Sequence, residues 1–225
     1  MSERPAILNT IQSEQRTVQV MLALQQLGLN PYHLDAAQAA NAHQPYHNYQ
    51  HCFVVALNCL AGAEAEGLDE DATRLLFLAA LYHDYGHAGE SNLADAFNLA
   101  AALQGMRQWL EMLEEEWVTG DDLNIIANLI LSTEASHRVE PHTAAERILL
   151  DADSLATDAE DCMTWFTALS KEHGDAVTYE EHTLVRSSIR FLSTRQFFTK
   201  WGSRRRDAFL SRLQEANAWE KYLEE

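Results

Sequence analysis

Glycine and proline are scarce in this chain, nine and four among 225 residues, which argues against a turn-rich sandwich and against a disordered or collagen-like polymer. Cysteine is scarcer still: Cys52, Cys59 and Cys162 are odd in number and form no C-x-x-C pair. Neither a disulfide framework nor a zinc knuckle follows, and the three read as buried thiols in a reducing compartment. No window approaches 18 uninterrupted apolar residues, and the opening "MSERPAILNTIQSEQ" lacks the basic start and apolar run of a secretory signal. The expectation is a cytoplasmic protein with no membrane partner. Basic residues are few as well, 16 Lys and Arg against 34 Asp and Glu, for a formal charge of −18. Such a surface repels phosphate backbones, so no nucleic-acid partner is expected. The one dense basic run, Arg204-Arg205-Arg206, reads as a solvated turn paired with the acidic surface.

What is present in quantity is Ala, Leu and Glu, with 47% of residues hydrophobic, enough for one closed all-α core. A single domain over 1–225 is expected. The pattern predicts a helix from about Pro5 to Leu27 with Gly28 as its C-cap, then a loop through "AHQPYHN" and a second helix from Tyr46 to Ala63. Asp69 or Asp71 can cap a third, "ATRLLFLAALYHD", whose apolar residues nearly surround it, as in the centre of a bundle; Gly86 ends or bends it. Further helices are expected over 91–103, 105–117, 121–136, 143–172, 179–200 and 204–223, with Gly120-Asp121 and Gly174-Asp175 as punctuation.

Histidines interrupt this apolar pattern in two places. "YHNYQHCFVV" carries His47 and His51, and "LYHDYGHAGESN" carries His83, Asp84 and His87. On a helix, residues four apart share a face, so each pair is expected to point one way. Imidazole nitrogens with an anionic oxygen are what a divalent ion takes, and "LLDADSLA" at 149–156 adds acids inside an apolar helix. Asp151 and Asp153 there point roughly 200° apart, and the residues alone leave open which is the ligand.

The order H…HD…D resembles the HD superfamily of metal-dependent phosphohydrolases, all-helical enzymes. "YHNYQH", "HDYGHAGESN", "ILSTEASH" and "LLDADS" are similar to segments of the class I cyclic-nucleotide phosphodiesterases, with Ala88 where those have proline. The resemblance covers 46–155 and implies a compact multi-helix bundle, with the C-terminal helices over 179–223 completing a pocket. It implies metal ligands His51, His83, Asp84 and Asp153, the A-D-x-S alignment favouring Asp153 over Asp151. One or two divalent ions (Zn, Mn, Fe, Co or Mg) would activate water, His47 would protonate the leaving oxygen, and His87 would orient the nucleophile or a second ion's water shell. Asn48 is expected to fix a turn, and Asn92, Thr133, Gln196 and Phe198 are the candidate substrate or supporting residues. The chain departs from those enzymes in lacking their E-N-H-H stretch: 88–136 contains no histidine.

The implied activity is hydrolysis of a phosphoester in a nucleotide-sized small molecule, leaning towards a cyclic diester. A nucleoside mono- or triphosphate is the alternative substrate. A di-iron oxygenase would need more ligands between the His-Asp pair and the final aspartate, where only His137 and His142 stand, and a non-catalytic nucleotide sensor would not need His47.

Overall fold

The computed structural model describes residues 4–40, 43–88, 95–134, 140–155, 159–172 and 181–223. Among them every regular element is helical: α1 Arg4–Gln26, α2 His33–Ala40, α3 Tyr49–Glu66, α4 Glu70–Tyr82, α5 Asp95–Met112, α6 Gly120–Ser132, α7 Ala144–Asp153, α8 Ala159–Glu172, α9 Glu181–Thr194 and α10 Lys200–Leu223. The fold is all-α, as the composition predicts.

Helix α4 is the axis of the bundle. Asp69 caps it, its Oδ1 accepting from Ala72 N at 2.8 Å, and every residue from Leu75 to Tyr82 is buried. It packs against α3 and α6, while α3 also packs against α1 and α7. Gly62 makes the close crossing of α3 with α7 and α10 possible, since a Cβ there would stand 2.6 Å from Ile148 Cγ2 and 3.2 Å from the Trp201 ring. The far end of α4 is anchored by a buried relay. His33 lies between the Tyr82 hydroxyl, 2.7 Å from Nδ1, and Glu115 Oε1, 2.9 Å from Nε2. Burial lowers the His33 pKa against the pull of Glu115, so the hydroxyl donates to a neutral ring. Leu155, Leu192, Phe209 and Leu213 form a second apolar cluster joining the end of α7 to α9 and α10.

Six expectations about the elements need correction. Helix α3 begins at Tyr49 rather than Tyr46, because Asn48 takes the cap position with extended backbone. Helix α4 ends at Tyr82 with His83 as its cap, and Gly86, at φ +72°, turns the chain away in a conformation that favours glycine. No break falls between the segments expected at 91–103 and 105–117: α5 runs unbroken over Asp95–Met112, and Gly105 within it admits the Tyr85 ring, whose Cδ1 would stand 2.2 Å from an added Cβ. The stretch 143–172 is two helices, α7 and α8, and α2 occupies part of what was expected as loop. Finally, α10 starts at Lys200, so Arg204-Arg205-Arg206 lie in a helix and not a turn. Arg206 pairs with Asp207 at 2.9 Å, whereas Arg205 reaches Asn58 Oδ1 at 3.5 Å and lies over the Phe209 ring.

Gly28 closes α1 at φ +66° as expected, with its N–H on Gln25 O. Thr119 and Asp122 form a capping box that opens α6 around Gly120. Gly174-Asp175 and the Cys162 side chain lie outside the described residues. Cys52 and Cys59 are buried, and burial pushes the Cys52 thiol up to about 12. No described helix is long and apolar enough to cross a membrane.

Candidate metal centre

Three helix ends meet at one point. Asn48 starts α3 by accepting from Gln50 N at 2.9 Å and His51 N at 3.4 Å, and its Nδ2 donates to the carbonyls of Gln44 and Pro45. That places His51 in the first turn of α3. His83 caps the end of α4, Asp84 follows it, and Asp153 is the last residue of α7.

His51 Nε2 lies 3.1 Å from Asp153 Oδ1 and 3.4 Å from Asp84 Oδ2; His83 Nε2 lies 3.1 Å from Asp84 Oδ2 and 3.6 Å from Asp153 Oδ1. His83 Nδ1 donates to Ala80 O at 2.8 Å, which fixes the tautomer and leaves Nε2 facing inward. That Nε2 is buried without a hydrogen bond of acceptable geometry. In the neutral ring the His83 Nε2 lone pair aims at two carboxylates, which repel it unless a cation stands between. Atoms bound at ~2.1 Å to one ion lie roughly 3.0–3.4 Å from each other in octahedral or tetrahedral arrangements, which is close to the spacing found here. The donor set therefore fits a divalent metal.

The charges agree. Burial opposes a charged His83, but Asp84 and Asp153 outweigh it and raise its pKa well above the ordinary 6.5. Burial likewise works against the Asp84 carboxylate, yet His83, His47 and His51 hold it well below its usual range. The neighbouring His51 and His83 rings depress the Asp153 pKa despite its burial. A proton on the His83 ring is what a metal would displace.

Beside this cluster stands a second group. His47 Nδ1 bonds Glu172 Oε1, and the backbone N–H groups of Tyr46 and His47 donate to Glu172 Oε2 at 2.8 and 3.0 Å. His87 stacks on His47, ring centroids 3.8 Å apart and planes 17° apart. Burial lowers the His47 pKa, but Asp84, Glu172 and Asp153 outweigh it and the net shift is upward. His87 goes the other way, to about 4, through burial and the neighbouring His47 charge. His47, Asp84 and His87 also offer ligand atoms close enough to share an ion.

The shared-face argument for each histidine pair fails. His47 precedes the α3 cap and His87 follows Gly86, so neither pair lies on one continuous helix; the His47 and His51 rings stand 6.1 Å apart at 82°. Turns, not helical periodicity, bring the four together. The other candidates are placed as follows. The Thr133 hydroxyl donates to Ile130 O within its own helix end. Gln196 is exposed between α9 and α10. Phe198 N donates to Asp151 Oδ1 at 2.9 Å. Asn92 lies outside the described residues.

Three neighbours escaped the sequence reading. Glu172 is the chief one, and its only signal was a carboxylate on the last turn of a helix, where the macrodipole disfavours it. Trp165 of α8 sets its ring 5.7 Å from those of His51 and Tyr46. Asn98 touches His87 and Ala88 from α5.

Residues 48–158 match the family model of the HD domain, the segment that holds all four clustered donors. This segment is an HD domain. Its fold is similar to that of the phosphodiesterase domain of the RhoPDE fusion protein from the choanoflagellate Salpingoeca rosetta, with a TM-score of 0.60 over 100% of this chain and 94% of that one, at 16% identity. No sequence among the curated proteins matches significantly. The HD-domain match and the donor set together support a metal-dependent phosphohydrolase in general terms.

Proposed function

We propose that this HD-domain protein hydrolyses a phosphoester of a nucleotide-sized molecule, with a cyclic nucleotide diester as the leading substrate. One observation carries the reading: His51, His83 and Asp84 are close enough to share an ion, Asp153 reaches both rings, and beside them stands a histidine outside this set, His47, held by its own carboxylate, Glu172. His51, His83, Asp84 and Asp153 would hold a divalent ion, which would supply an activated water and positive charge for the phosphoryl group. The remaining steps belong to the chain. Glu172 takes the Nδ1 side of His47, so the ring's Nε2 is the atom that can hand a proton to the leaving oxygen. The upward shift of the His47 pKa keeps that proton in place nearer neutral pH. The Tyr46 ring, tilted at 34°, and the edge-on Trp165 ring pack against His51 and leave it buried. Gln196 and Phe198, on the segment that Asp151 ties to α7, belong to the far wall of the pocket in this proposal.

A compact anion suits a chain of this acidity, because the ion offsets the substrate's charge locally. Of the two described histidines between Asp84 and Asp153, His142 is exposed and His87 stacks on His47, which supports an oxygenase less. The test is a panel of cyclic and linear nucleotides with several metals returned to stripped protein, followed by His47→Asn. That variant should keep its metal and lose roughly 10²–10⁴ in kcat, with a smaller loss on a p-nitrophenyl ester whose leaving group needs no proton. Loss of metal in parallel with activity, or equal loss on good and poor leaving groups, would reject the general-acid role.

A further inference from the structure

Asn98, buried on α5, touches two points of the turn that follows Asp84. Its Oδ1 accepts from Ala88 N at 3.0 Å, and its Nδ2 stands 2.9 Å from His87 Nε2. A backbone N–H can only donate, which orients the amide with oxygen towards Ala88 and nitrogen towards His87. The amide nitrogen in turn can only donate, so His87 Nε2 must accept. The ring proton of His87 therefore resides on Nδ1, which faces Glu172 Oε1 at 3.7 Å. That is the same oxygen that bonds His47 Nδ1.

We propose that Asn98 is a positioning residue: it fixes His87 as the Nδ1–H tautomer and commits its Nε2, making His87 the stacked wall of His47 and not a group that reacts. This refines the role expected for His87 and rests on the reading of His47 as the acid. Helix α5 is built for such support. Gly105 receives the Tyr85 ring, Trp109 Nε1 donates to Tyr85 Oη at 2.8 Å, and Asn98 alone of these reaches an imidazole. An anchor for the turn would need only the bond to Ala88; the second bond selects a tautomer.

Long-range nitrogen–proton NMR of the zinc-loaded wild-type protein should show His87 protonated on Nδ1. Asn98→Asp is nearly isosteric and keeps an oxygen for Ala88 N, but sets an acceptor against His87 Nε2 and should move the ring proton there. With it, kcat on the best phosphoester of the panel should fall about 10- to 100-fold, as for other residues that orient a site from behind. KM should stay within about twofold and metal stoichiometry should not change. Asn98→Ala should lose a similar factor in kcat and also some thermal stability. A wild-type proton on Nε2 overturns the proposal, and so does an Asn98→Asp protein that switches tautomer at full kcat. The NMR comparison needs no substrate, so it decides the tautomer even if the panel finds no hydrolysis, and only the latter result counts against the proposed function.

Discussion

Asp151 and Asp153 stand two residues apart on the last turn of α7, and the fold uses them in opposite ways. Two helical residues differ by about 200°, so one faces α10 and the other faces α3 and α4. Asp151 is fully buried and accepts three hydrogen bonds, from Phe198 N, Thr199 N and the Thr199 hydroxyl, at 2.9, 2.9 and 2.7 Å. Burial raises its pKa more than these donors lower it. Asp153 instead meets two imidazole nitrogens, and its pKa is depressed. One carboxylate is satisfied by N–H and O–H donors that the fold itself supplies. The other faces two imidazole nitrogens, donors that a metal ion could also engage, and that difference distinguishes a candidate ligand from a strut.

The largest expected effect lies on the Asp153 side. Asp153→Ala should bring hydrolysis to background and strip the metal, as should His83→Ala and Asp84→Ala, while circular dichroism keeps its helical signal. Metal analysis checks this, and an Asp151 variant that lost metal equally would break the comparison.

Glu172 sits between the two cases, because it holds both backbone N–H groups and the His47 ring. Glu172→Gln should lower kcat about 10- to 100-fold. It should also move the alkaline limb of the pH–rate profile to lower pH: the acid must be protonated, Glu172 helps to raise the His47 pKa, and its removal lets that pKa fall. An unmoved limb would detach Glu172 from the acid.

On the Asp151 side the effect should fall on stability. Asp151→Asn weakens three buried hydrogen bonds and should cost about 2–4 kcal/mol, a drop in Tm on the order of 10 °C, with unchanged metal content and kcat per folded molecule. Gly202→Ala attacks the same strut sterically, since its Cβ would stand 2.2 Å from Asp151 Oδ2. We expect a smaller loss, about 1–3 kcal/mol, read by thermal melting, and less than additive with Asp151→Asn because both disturb one contact.

Much of this was legible in the chain. The Asp69 cap and the buried face of α4 follow from residues a turn or two apart, and the adjacency of His83 and Asp84 announces a donor pair wherever the helix ends. Other parts were not legible. Asn48 and Gly86 were visible as residues, but that they stop α3 and α4 short of His47 and His87 depends on which of several local caps the packing selects. The boundary expected between 103 and 105 does not form, and Gly105 is a seat for Tyr85, because a neighbouring ring fills the space that a side chain would need.

Helical class and the types of donor were thus determined locally, by periodicity and by side-chain chemistry that no packing can alter. The choice of Asp153 over Asp151 for the cluster, the pairing of His47 with Glu172 across 125 positions, and the hold of Asn98 on His87 were decided only by the tertiary structure. The chain has 34 acidic residues, all of the same chemistry, and nothing within a few residues of Glu172 distinguishes it. What singles it out is where α8 ends relative to α3, a distance set by the burial of apolar faces far from either group.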